Sequence, residues 1–148
     1  MSRVLLVLIS LCFSVTVFAQ NITSPDALAD AIKRAITDGN SQALARLISP
    51  ETRADKKRLV IKDFMAYRRA EHFSVKLVAP NGEGWEGLPL PELIKQQKKA
   101  GYVFPARPLG RILVSGKRKG ARKISKFGAF YGKSGKQYLL IFSELSKK

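Results

Sequence analysis

The chain is 148 residues long and carries 27 Lys or Arg against 11 Asp or Glu, with one His and one Cys, for a formal net charge of +16. A lone Cys excludes an intramolecular disulfide framework, and a lone His cannot supply the two or three ligands a zinc site needs. A balance this basic favours anionic partners.

At the start, Arg3 precedes an apolar run from Val4 to Leu8 that continues, with small polar interruptions, to Phe18. The run is too short to span a bilayer and be held there. It ends in Val17, Phe18 and Ala19, the small-residue pattern a signal peptidase cuts after Ala19. The pattern predicts a signal peptide over residues 1–19, a periplasmic or secreted destination, and no transmembrane segment in the mature chain. Cys12 departs with that leader, and Leu11 before it lacks the small side chain of a lipid-attachment site. Residues 20–148 then have the size of one domain, with stability from packing alone.

In chain order, "TSPDALADAIKRAITDGN" reads as a helix with both ends marked. Ser24 caps it, Pro25 takes the first position, Asp26 faces the positive end of the dipole and Gly39 stops it. Leu28, Ala31, Ile32, Ala35 and Ile36 form its apolar stripe. "NSQALARLIS" predicts a second short helix burying Ala43, Leu44, Leu47 and Ile48. A third is expected to start at a Ser49 cap, to bury Val60, Phe64 and Tyr67, and to end near Ala70. The period then changes. "HFSVKLVAP" alternates as a strand and "NGEGWEG" is a loop. "LPELIKQQKKAGY" is a short helix ending at Gly101. Strands follow at "YVFPA", "GRILVSGK", "ARKISKFGAFYG" and "KQYLLIFSEL", the last two joined through "GKSG" as a hairpin. Helices followed by antiparallel strands predict an α+β domain with the helices on one face of a curved sheet.

The opening pair "SPDALADAIKRAITDGNSQALARLISPETR" and the terminal "FGAFYGKSGKQYLLIFSEL" resemble the two ends of the nuclear transport factor two-like superfamily. That resemblance implies a cone of curved sheet with a pocket between sheet and helices, catalytic in some members and used for binding or assembly in many. It also implies that a homodimer through the open sheet face is available. Catalytic members place an acid–base residue inside the cone, for which Asp63, Tyr67 and His72 are the candidates in this chain. Asp63 is one step from Phe64, which turns it away from the buried stripe.

Chemical motifs are otherwise scarce. Gly132-Lys133-Ser134 imitates a phosphate loop, but Phe127 stands where that motif needs its first Gly, and no helix start follows. Neither a serine elbow nor paired strand carboxylates occur, so no catalytic residue, metal or cofactor is assigned.

The charge is unevenly distributed. Residues 20–92 hold 11 Lys or Arg against 10 Asp or Glu, whereas residues 93–148 hold 15 against the single Glu144. "SGKRKGARKISKF" concentrates Lys117, Arg118, Lys119, Arg122, Lys123 and Lys126, with Lys117 to Lys119 expected on a loop between two strands. Solvated faces mix both signs, and the shortage of acids marks this run as a binding surface. Arg107, stiffened between Pro105 and Pro108, is a further anion-facing candidate. The leader removes cytosolic nucleic acid from consideration. An anionic glycolipid, a phospholipid surface, an extracellular polyanion or an acidic protein remains as the partner of a non-catalytic binding protein. The alternative is a pocket protein, small-molecule-binding or catalytic, using the cone interior.

Overall fold

The computed structural model describes residues 21–146 except 83, 85 and 86. The leader and its cleavage position lie outside the described residues. The fold is α+β: α1 (Pro25–Asp38), α2 (Ser41–Arg46) and α3 (Ala54–Met65) precede β1 (Glu71–Val78). Then come α4 (Leu90–Lys99), β2 (Tyr102–Val103), β3 (Gly110–Lys117), β4 (Ser125–Ser134), β5 (Gln137–Ile141) and β6 (Glu144–Leu145). Four strands form an antiparallel sheet in the order β1-β3-β4-β5, and β2 pairs with β6 in a separate two-stranded ribbon. Among the described residues no helix is long and apolar enough to cross a membrane.

The ends of α1 are those its sequence encodes. Ser24 Oγ accepts from the Ala27 amide at 3.1 Å, and Gly39 closes the helix in the left-handed conformation at φ 65°. Leu28, Ile32 and Ile36 are fully buried against the sheet. Each such side chain contributes about 1.5–3 kcal/mol by leaving water. Asn40 caps α2 through the Ala43 amide at 2.9 Å.

α2 is shorter than its apolar spacing predicts. Beyond Arg46 the chain straightens beside the outer edge of β5, where Ser49 N donates to Leu140 O and Leu140 N to Leu47 O, both at 2.8 Å. Leu47 and Ile48 are therefore buried as an edge segment of the sheet. That pairing also moves the start of α3. Ser49 is engaged by β5, so the helix begins at Ala54 without a side-chain cap, and it ends at Met65 instead of near Ala70. Val60, Phe64 and Tyr67 are buried as expected.

Register divides the sheet into two faces, because residues directly opposite one another point the same way. One face carries Val75, Leu77, Ile112, Val114, Phe127, Ala129, Tyr131 and Leu140 and packs on α1–α3 in the main core. The ring of Phe64 meets that of Phe127 edge-on, with centroids 4.8 Å apart. The other face carries Arg111, Phe130 and Ile141, and there Leu90 and Leu93 of α4 form a second, smaller core. The helices thus cover both faces, not one, with α4 confined to the β5 half. Near Phe142 the last predicted strand breaks in two: β5 stays in the sheet while β6 turns to pair Glu144 with Val103.

Candidate functional site

β3 and β4 are joined by a seven-residue loop, 118–124, so the strand expected from Ala121 begins only at Ser125. Arg118, Lys119, Arg122 and Lys123 all lie on this loop and are exposed. Gly120, at φ 80°, makes the reversal, and Ala121 N donates to Arg118 O at 2.9 Å. Lys117 ends β3 directly opposite Glu71 and is half-buried, and Lys126 is exposed on β4 opposite Ser115.

The loop folds toward the turn that joins α3 to β1. Arg118 lies over the ring of Tyr67 at 5.9 Å, a cation–π contact that fixes the base of the loop. Between loop and turn is a hollow of about 210 Å³ lined by Arg69, Glu71, Lys117, Arg118, Lys119, Gly120 and Ala121. Four cations and one acid border it. Among the described residues the one ion pair joins Arg53 to Asp55 at 2.9 Å, away from this loop. Among the described residues none of the loop cations is ion-paired with a carboxylate.

The surface extends beyond the hairpin tip. Ser74 and Ser115 join across the sheet through their hydroxyls at 2.8 Å, on the same face as Lys76, Lys117 and Lys126. Lys76 and Lys126 are exposed there, where α4 does not reach. Arg69 and Lys76 come from the charge-balanced half of the sequence, so nothing in the local pattern singled them out. Only the pairing of β1 with β3 brings them alongside the run.

The other candidates are dispersed. Asp63 is exposed on α3; Tyr67 is 3% exposed, with its ring in the main core beneath Arg118; His72 is exposed at the bulge of β1, with φ 54°. None of the three lines the hollow beside the loop, the large cleft at α4 or three further cavities found among the described residues. Among the described residues no group of three or more His, Cys, Asp or Glu is placed to hold a metal ion. Arg107 lies at the opposite end of β3 from the loop, exposed at the rim of a large apolar cleft.

One cation of the basic half is interior. Arg111, 1% exposed, donates from Nη1 to Leu88 O at 2.8 Å and from Nη2 to Gly82 O at 2.5 Å, holding the loop before α4 against the sheet. Its charge belongs to the fold and not to the binding surface.

No protein-family model matches the chain, and no curated protein matches it in sequence. Among solved structures it is similar to the solution structure of a SEC-C motif containing protein from Rhodopseudomonas palustris. The two are 11% identical with a TM-score of 0.46, over 86% of this chain and 83% of that one. A likeness this low transfers neither fold nor function.

Proposed function

We propose that this is an exported, non-catalytic binding protein whose hairpin tip captures an anionic envelope component or the acidic surface of a protein. The observation that carries the reading is the loop 118–124, which exposes Arg118, Lys119, Arg122 and Lys123 beside a hollow that Arg69 and Lys117 also border. Like charges held this close repel, and a bound polyanion relieves the repulsion while releasing its own counterions. Arginines at the tip offer forked donors that suit phosphate, sulfate and carboxylate groups. Export rests on the leader pattern of residues 1–19.

The order of three helices followed by an antiparallel sheet supports reading the chain as a cone of the nuclear transport factor two-like kind. In this chain the space between α1–α3 and the sheet is filled by Phe64, Tyr67, Ile112 and Val114, which favours surface binding over catalysis in the cone interior. A homodimer through the open sheet face would set Lys76 and Lys126 of one copy against those of the other, so an anion must lie between them.

The test is retention on immobilised heparin. The protein should bind at about 0.1 M salt and elute well before about 1 M. Passage through the column at the lower salt contradicts the reading.

A further inference from the structure

The strongest unassigned feature lies at the far end of the sheet from the basic loop. A cleft of about 850 Å³ opens between α4, the β2 strand and the strap of residues 104–109 that returns to β3. Its size falls in the range of ligand pockets, about 300–1,000 Å³. Leu90, Ile94 and Lys98 follow at intervals of four along α4, so one helical row presents two apolar side chains and then a cation to the cleft. Tyr102 lines the ribbon side, and Phe104 lines the strap side with its ring edge-on to buried Phe130 at 5.2 Å. Val103 and Leu109 at its edge remain 55% and 38% exposed, so the apolar lining is open to a ligand from solvent.

Charge selects the occupant. Among the described residues the lining contains two cations, Lys98 and Arg107, and no Asp or Glu. Both are exposed at the rim, and among the described residues neither is ion-paired with a carboxylate. The position of Arg107 is set by the strap, which crosses β4 closely enough that a Cβ on Gly132 would come within 2.8 Å of the Arg107 carbonyl. An apolar trough with a cationic mouth matches a single hydrocarbon chain ending in a carboxylate.

We propose that this cleft binds a fatty acid, its chain along Leu90, Ile94, Phe104 and Leu109 and its carboxylate on Lys98 and Arg107. The site is independent of the proposed polyanion surface. β3 separates the two by eight residues, about 25 Å of extended chain.

The experiment titrates the purified protein with 11-(dansylamino)undecanoic acid in about 0.3 M salt, which screens attraction to the basic loop. Bound probe is then displaced with dodecanoate or with dodecanol. Saturable one-site binding is expected, with dodecanoate displacing the probe about tenfold better than the uncharged alcohol, as a charge-assisted contact predicts. Ile94→Asp, or the more exposed Leu109→Asp should the first fail to fold, should weaken binding at least about tenfold. Lys98→Ala combined with Arg107→Ala should erase the preference for dodecanoate, and Lys119→Glu on the distant loop should leave probe binding and its displacement unaltered. Absence of saturable binding, equal displacement by dodecanol, or an effect of Lys119→Glu as large as that of the rim pair overturns the proposal.

Discussion

The two ends of the sheet are finished in opposite ways. At the β3–β4 tip a seven-residue loop exposes four cations; at the other end the strap and the β2–β6 ribbon expose Val103, Leu109 and Leu145. The contrast has a physical basis. Closely spaced ammonium and guanidinium groups are tolerable only where water surrounds them, which a hairpin tip provides. The apolar groups border two clefts on either side of the β2–β6 ribbon, space that side chains do not fill. Arg111 shows that charge on the sequence is not charge on the surface. It belongs by composition to the basic half, yet it is buried as the tie that holds the loop before α4 in place.

The largest expected effect sharpens that distinction within one residue type. Arg111→Ala should lower unfolding stability by about 3 kcal/mol or more, because the Leu88 and Gly82 carbonyls lose their buried donor. Exposed Arg107→Ala should cost less than about 0.5 kcal/mol. Urea denaturation of the two variants measures the difference. Heparin elution of the folded fraction should be the same for both.

Next in size is reversal of the tip. Replacing Arg118, Lys119, Arg122 and Lys123 together by Glu should reduce heparin affinity at about 0.1 M salt by about a hundredfold or more. The thermal midpoint should move by only a few degrees. Lys117 is left in place because it stands directly opposite Glu71, where a second carboxylate would destabilise the strand pair.

A smaller effect is expected from Gly132→Ala, whose added methyl meets the Arg107 carbonyl from the strap. It should cost about 1–3 kcal/mol and disturb the cleft, while heparin binding persists. The smallest effect concerns alkaline pH. Burial raises the Tyr131 phenol above its ordinary value of 10.0, so the folded state holds this proton more tightly than the unfolded chain. That contribution is complete below about pH 10 and is lost as pH climbs through the folded value. Thermal midpoints followed from pH 9 upward should fall less steeply in Tyr131→Phe.

Parts of this architecture were legible because the signals were local. The Ser24 cap, the Gly39 stop and the α1 stripe each depend on residues a few positions apart and appear where expected; the final hairpin also forms, with Gly135 at positive φ, but β4 runs on through Ser134 and the turn tightens to Gly135 and Lys136. What was not legible required distant partners. Ser49 looks like a helix cap until β5 takes its backbone amide, and the final strand looks continuous until β2 draws Glu144 and Leu145 away. The basic run itself was evident from composition. The contributions of Arg69 and Lys76 were not, because β1 brings them to that surface only through its register with β3. The apolar cleft was hidden for the same reason: its walls come from four separated segments, none of them conspicuous alone.

The most direct measurement is a map of backbone amide shifts in the ¹⁵N-labelled protein titrated with a heparin hexasaccharide. The account predicts perturbations over residues 117–126 and 69–76 that disappear as salt is raised, with residues 90–109 unmoved. Shifts centred on the α4 cleft, or spread evenly over the whole molecule, would contradict it.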